Sequence, residues 1–392
     1  MNNKRYVSLD VMRGITVLFM CIVNNPGTWY RIYEPLCHSA WNGCTPTDLV
    51  YPFFIFCMGC AMAFSFTKYD SFNGKACRKV LRRSAAIFAI GIAINFFPFF
   101  PTKLHDPEWS FFQNYAYWFT RVCRHLRILA VLQRIALAYL VAGLLALWLR
   151  KPRRVMVAVA VLLILHTAVL VIFGKDPGPF TLEGNVAGRI DTALFGSKHV
   201  FHGYCFPDGT PADFDPEGLL GTLSAAASCL IGYLVGSMII FSQRDPEVPS
   251  AGLSEPEANY HMVCRMFVYG LMSLGFAEIL NIWVPINKPL WTCSYVFLTS
   301  GWAMLVLAFL IYCIDIRKVE KPFYPFKVAG FNALTAFILC GIAERLFEVL
   351  HFEPSVWFGA NEATSLCYAL LFTGVIYLVL QILYNRKICI KL

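Results

Sequence analysis

The sequence predicts an all-α protein, a polytopic bundle of about ten transmembrane helices with both termini cytoplasmic. Three observations predict it. Of 392 residues, 58% are hydrophobic and 15% charged, against about 45–50% and about 25% in an ordinary soluble domain. The apolar excess comes in repeated runs of about 20 residues, the length of a helix that crosses the hydrocarbon layer. Lys and Arg alternate from loop to loop, as in chains that obey the positive-inside rule.

The apolar runs are 9–25, 46–66, 82–99, 127–149, 154–173, 218–241, 262–284, 291–313, 328–350 and 364–385. They leave no room for a separate soluble domain, so residues 1–392 read as one transmembrane domain. The first run follows Lys4 and Arg5, where a signal peptide would sit. It has no small-x-small cleavage pattern, and Asp10 and Arg13 interrupt its start, so it reads as a retained helix. It ends at Val23-Asn24-Asn25-Pro26-Gly27. The second run opens with Thr45-Pro46, an N-cap followed by proline at the first helical position. The stretch 101–126 is bounded by proline and rich in Trp and Tyr, a composition suited to the headgroup level. The longest connection, 174–217, is acidic. In the sixth run Gly232 and Gly236 form a G-x-x-x-G one turn after Ser228, which reads as close helix packing.

Counting Lys and Arg places the N-terminus, 67–81, 150–153, 242–261, 314–327 and the C-terminus on the basic side. That side includes Lys4, Arg5, Arg150, Lys151, Arg317, Lys318 and Lys391. It is the cytoplasmic side by the positive-inside rule, which puts His38 on the outer face. The net charge of +9 is spread over these short loops, so no basic domain exists to bind nucleic acid. The 15 cysteines lie mostly inside apolar runs, where they act as small hydrophobes. Cys57 and Cys60 form a C-x-x-C without a second pair or nearby histidine, so no metal site is read.

Polar groups at the rim of a membrane segment are concentrated between Cys37 and Asp48. His38 is an imidazole able to serve near neutral pH as a base or as an acyl carrier. Asp48 suits either the orientation of His38 or the helix N-terminus. Asn42 and Asn24 each offer an amide donor for an oxyanion, or else finish a turn and a helix. Charges inside other runs, including Arg134 after Gln133, Glu278, and Glu344 with Arg345 and Glu348, must be paired or face a wet cavity. Glu217 opens the sixth run.

Taken in order, these motifs resemble the heparan-α-glucosaminide N-acetyltransferase family of transmembrane acyltransferases. The resemblance is carried by Ser8-Leu9-Asp10-Val11-Met12-Arg13-Gly14, by His38-x-x-Trp41-Asn42-Gly43 with Asp48-Leu49-Val50-Tyr51-Pro52, and by Leu132-Gln133-Arg134. Asp215-Pro216-Glu217-Gly218-Leu219-Leu220, Pro285-Ile286-Asn287-Lys288 with Leu290-Trp291-Thr292, and Gly330-Phe331-Asn332-Ala333-Leu334 continue it. The resemblance implies a bacterial member in the inner membrane, without the extra N-terminal span and lumenal domain of the animal proteins. It implies transfer of acetyl from cytosolic acetyl-CoA to an amino sugar or glycan on the periplasmic side.

On this reading His38 is the base or acyl carrier, Asn24 and Asn42 steady the oxyanion, and Asp48 orients His38. Gln133, Arg134, Asn287 and Lys288 hold the donor, with Arg134 and Lys288 neutralising its phosphates. Glu217 and Trp41 contact the acceptor, Trp41 being equally suited to packing. No metal is expected. The partners are membrane lipids and the glycan acceptor, and a homodimer is compatible with the sequence. Two rivals remain at this level: a transporter or flippase for a sugar or lipid-linked glycan, and an O-acetyltransferase acting on a glycan hydroxyl.

Overall fold

A computed structural model of the chain describes residues 6–69, 72–101, 105–106, 108–244 and 255–390. Lys4, Arg5 and Lys391, which enter the charge count above, lie outside the described residues. The helices in chain order are α1 Val7–Asn24, α2 Val50–Phe66, α3 Gly74–Phe96, α4 Phe111–His125, α5 Val131–Leu149, α6 Pro152–Ile172 and α7 Val186–Phe195. A short antiparallel ribbon follows, β1 Tyr204–Cys205 with β2 Pro211–Ala212, paired Tyr204 to Ala212. Then come α8 Gly221–Arg244, α9 Glu255–Asn281, α10 Cys293–Leu310, α11 Tyr324–Phe331, α12 Ala333–Val349, α13 Pro354–Phe358 and α14 Glu362–Asn385.

The chain is therefore an all-α, multi-pass membrane protein. Among the described residues, 8 helices are long and apolar enough to cross a bilayer, or up to 9 if the bent pair formed by Lys321–Phe331 and Ala333–Val349 is one span. The sequence expectation was about ten, and two elements account for the difference. The segment expected at 82–99 falls mostly on α3, which ends at Phe96 and whose first half carries Lys75, Arg78, Lys79, Arg82 and Arg83. The segment expected as one helix at 328–350 is broken at Asn332, with a bend of 69°. There the Asn332 amide donates to the Ile388 carbonyl at 2.9 Å and accepts from the Ile390 N–H at 3.1 Å. The side chain thus binds the C-terminal tail to the break.

The expected close packing at the sixth run is present. A Cβ on Gly232 would stand 2.2 Å from the Phe56 carbonyl oxygen, and one on Gly59 would stand 1.9 Å from that of Cys229. Only glycine lets α2 and α8 approach so closely, and the contact keeps the opening of α2 fixed in the bundle. α6 and α9 lie at the perimeter, with only 28% and 22% of their apolar windows buried. α4 is not a span. It is capped by Ser110 and exposes Phe111, Phe112, Tyr117 and Phe119, which fits a helix lying at the headgroup level.

Candidate active site

The turn that enters α2 builds the site. Thr45 takes the capping position and Pro46 opens a tight turn, Pro46–Leu49, that runs into α2. Asp48 sits in this turn with its side chain fully buried. One carboxylate oxygen, Oδ2, accepts from Thr45 N at 3.0 Å and from Ser39 N at 3.1 Å, so it closes the cap and holds the preceding loop. The other, Oδ1, faces His38 Nδ1 at 2.7 Å and Lys288 Nζ at 3.1 Å. Capping and orientation were alternatives in the sequence. In the fold they fall to different oxygens of one carboxylate. Tyr295 Oη, from α10, donates to the Asp48 carbonyl at 2.6 Å and fixes the turn from below.

This geometry assigns the tautomer of His38. A carboxylate oxygen 2.7 Å from a ring nitrogen requires a proton between them, so Nδ1–H donates to Asp48. Lys288 Nζ also lies 3.0 Å from Nδ1. An ammonium offers only donors, so its partner is Asp48 Oδ1. The lone pair of His38 is then on Nε2, at the open edge of a half-exposed ring.

His38 lies in the wall of a cavity of about 170 Å³, together with Asn24, Lys288 and Glu217. Val17, Met20, Val50, Phe54, Ile135 and Phe337 form its apolar wall. The lining of α1 runs from Thr16 to Asn24, a rise of about 12 Å at 1.5 Å per residue. The cavity is therefore an apolar slot that ends in polar groups, a shape suited to a long aliphatic arm with a reactive end.

The other sequence candidates are placed as follows. Asn42 and Asn287 join each other: Asn287 Nδ2 donates to Asn42 Oδ1 at 3.0 Å and to the Trp41 carbonyl at 3.1 Å. Gly43 N donates to the Ile286 carbonyl at 2.7 Å. Their amides thus tie the His38 loop to the Lys288 loop, and neither residue lines the His38 cavity. Trp41 donates from Nε1 to the Phe180 carbonyl at 2.8 Å and packs edge-on against Tyr204 and Phe214, so it fastens the 174–217 segment over the site. Arg134 is buried. Its Nη2 donates to the Gly218 carbonyl at 3.0 Å, and its guanidinium lies over Trp291. Gln133 is buried on the far side of α5, against Gly91.

Several contributors lacked a local sequence signal. Arg127 pairs with both Asp215 and Glu217 and so holds in place the turn that brings Glu217 to the cavity. Burial acts to lower the Arg127 guanidinium, but the two carboxylates outweigh it and hold it above its ordinary range. Burial pushes the Cys44 thiol up to about 12, so it offers no thiolate beside the site. Asp191 is buried and accepts from Leu219 N at 2.9 Å, and burial raises its carboxyl to about 6. Among the described residues no group of three His, Cys, Asp or Glu stands close enough to hold a metal ion.

Residues 5–181 match the family model described as heparan-alpha-glucosaminide N-acetyltransferase, catalytic. The chain is 26% identical over 440 residues to the heparan-alpha-glucosaminide N-acetyltransferase of Homo sapiens, covering 99% of this chain and 60% of that protein. It is 26% identical over 433 residues to that of Mus musculus, covering 98% of this chain and 60% of the relative. The chain thus spans about 60% of the length of the curated relatives it matches. The family-model match includes Asn24, His38 and Asp48, whereas Glu217 and Lys288 lie beyond it.

Proposed function

We propose that the chain, which is similar over nearly its whole length to heparan-alpha-glucosaminide N-acetyltransferases and matches their catalytic family model over residues 5–181, is a member of that family and moves acetyl from acetyl-CoA to an amino sugar or glycan amine. On this reading the basic loops face the cytoplasm and the His38 end faces the periplasm, so the donor arm enters from the cytosolic side. The observation that carries the reading is the His38–Asp48 hydrogen bond of 2.7 Å at the polar end of an apolar slot.

His38 presents the Nε2 lone pair to the acceptor amine. As the amine nitrogen bonds to the acetyl carbonyl carbon, Nε2 takes the N–H proton. Asp48 stabilises the imidazolium that forms, and Asn24 donates to the developing oxyanion. The C–S bond then breaks, and His38 returns the proton to the leaving thiolate. The products are an amide and a free thiol, with His38 neutral again. Lys288 and Arg134 take no phosphate in this reading. Lys288 is committed to Asp48, and Arg134 is sealed under Gly218 and Trp291.

The test is transfer of radiolabelled acetyl from acetyl-CoA to a panel of amino sugars by the protein reconstituted in vesicles. Label is expected in an amide product, and His38→Ala should lower the rate by about 10²-fold or more. Transfer unchanged in His38→Ala, or sugar counterflow with no need for acetyl-CoA, would overturn the reading. Label recovered as an ester would move the acceptor from an amine to a hydroxyl.

A further inference from the structure

A second cavity of about 170 Å³ lies between α1, α3, α5 and α12. It shares Met20, Asn24, Val131 and Phe337 with the His38 cavity. Asn24, the polar member of that common wall, is exposed on the boundary of both. Its volume of about 170 Å³ leaves room for one small ring.

Two features of this chamber ask for a ligand. Gln133 is fully buried in its wall, and both its amide nitrogen and its amide oxygen lack a hydrogen-bond partner among the described residues. Gly91 makes the room for that amide, since a Cβ there would stand 2.6 Å from Gln133 Oε1. Leaving a buried donor and acceptor unpaired is unfavourable, and native proteins satisfy such groups with a partner or ligand. The second feature is Glu344, also in the wall. It makes no ion pair among the described residues. Arg345, its neighbour, donates to the Asn95 and Phe97 carbonyls at 3.1 and 3.3 Å, where it caps the end of α3. The chamber therefore offers an amide that both donates and accepts, and a carboxylate outside any ion pair among the described residues, with Arg345 in the same wall bonded to the α3 carbonyls.

We infer that this chamber is the acceptor subsite, built for a small hydroxyl-bearing ring that carries a protonated amine. Glu344 receives the ammonium, and Gln133 pairs with a ring hydroxyl as both donor and acceptor. Glu344 then takes one proton from the ammonium and passes it to water, and the free amine, with its lone pair, moves along the common wall at Asn24 toward His38. This inference rests on the amine-acceptor reading above and names the residues that select the acceptor. Gln133 thereby belongs to the acceptor side of the site and not to the donor side.

The test is binding of glucosamine, glucose and N-acetylglucosamine to the full chain in detergent or nanodiscs, without donor, by calorimetry. Glucosamine should bind at least about tenfold more tightly than the two neutral sugars, as a charged hydrogen bond implies. Glu344→Gln should remove that preference and Glu344→Asp should retain part of it. Gln133→Leu should weaken glucosamine and glucose alike, and His38→Ala should leave glucosamine binding within about twofold. In transfer assays Glu344→Gln should raise KM for the amine with kcat nearly unchanged. Equal binding of glucose and glucosamine by the wild-type chain overturns the inference without any variant. So does glucosamine binding lost in His38→Ala yet intact in Glu344→Gln, which would put the acceptor in the His38 cavity. Glu344-dependent amine binding without acetyl transfer to any amine would support the chamber and sink the proposed function instead.

Discussion

His38 Nδ1 lies 2.7 Å from Asp48 Oδ1, while the second oxygen of that carboxylate closes the turn that starts α2. The orientation of the imidazole is therefore set by the same side chain that sets the helix entry. Asp48→Asn keeps the shape of the side chain but offers an amide on one side and loses the negative charge opposite the imidazolium. The rate of acetyl transfer should fall by about 10²–10⁴-fold, the range seen when a base loses its orienting carboxylate. Asp48→Ala should add a loss of stability of about 1–2 kcal/mol from the missing cap. Measured kcat and thermal melting of the two variants separate these effects. Full activity in Asp48→Asn would show that His38 works without its partner.

Lys288 reaches Asp48 Oδ1 at 3.1 Å from a loop far along the chain, and its own side chain is mostly buried. Lys288→Met leaves the Asp48 carboxylate with His38, Ser39 and Thr45 as donors. Removing one charged donor from a buried carboxylate is worth about 1.5–3 kcal/mol. The variant should melt earlier, and its kcat should fall by less than that of Asp48→Asn. A loss in kcat as deep as that of His38→Ala would mean that Lys288 itself meets the reacting atoms.

The membrane class and the His38–Asp48 pair were legible in the sequence because both signals are local. Apolar runs announce helices, and Asp48 stands ten residues after His38. Lys288 reads in the sequence as a cation for the donor phosphates and not as the partner of Asp48, since the contact spans 240 residues. The break at Asn332 was hidden for a similar reason. The apolar run continues through it, and the hydrogen bonds that stabilise the bend come from the C-terminal tail. Arg134 illustrates a different limit. A lone charge inside an apolar run reads the same whether it awaits a phosphate or lies over an indole ring. In the fold it lies over Trp291, which also meets Tyr51 and Tyr295 edge-on, and gives Nη2 to Gly218, while Nε and Nη1 have no partner among the described residues.

Arg134 therefore supports a specific expectation. Its guanidinium links Trp291 to the Gly218 carbonyl, and so connects the floor beneath Asp48 with the turn that carries Glu217. Arg134→Lys keeps the charge but loses the flat stack and the fixed fork of donors. Stability and kcat should both fall, with KM for acetyl-CoA unchanged within about twofold. A rise in KM for acetyl-CoA at constant stability would return Arg134 to the role of a phosphate ligand.

Asp191 supplies a pH dependence with a definite sign. Its carboxyl is buried beneath the 215–219 turn, with Oδ1 bonded to Leu219 N and Oδ2 unpaired among the described residues. Burial raises it from 3.8 to about 6 in the folded chain. Between about pH 4 and 6 the folded state keeps the proton while the unfolded state has released it. The folded state binds more protons in that window, so stability falls as pH rises through it and levels off above pH 6. A shift of about two units corresponds to about 3 kcal/mol at most. Asp191→Asn cannot ionise and keeps an oxygen for Leu219 N, so it should melt at a higher temperature than the wild type at pH 7.5. The two should converge only below about pH 4. Melting curves at matched ionic strength across this range decide the matter: a wild-type chain that gains stability between pH 4.5 and 6 relative to Asp191→Asn would mean that Asp191 is ionised and paired in the fold.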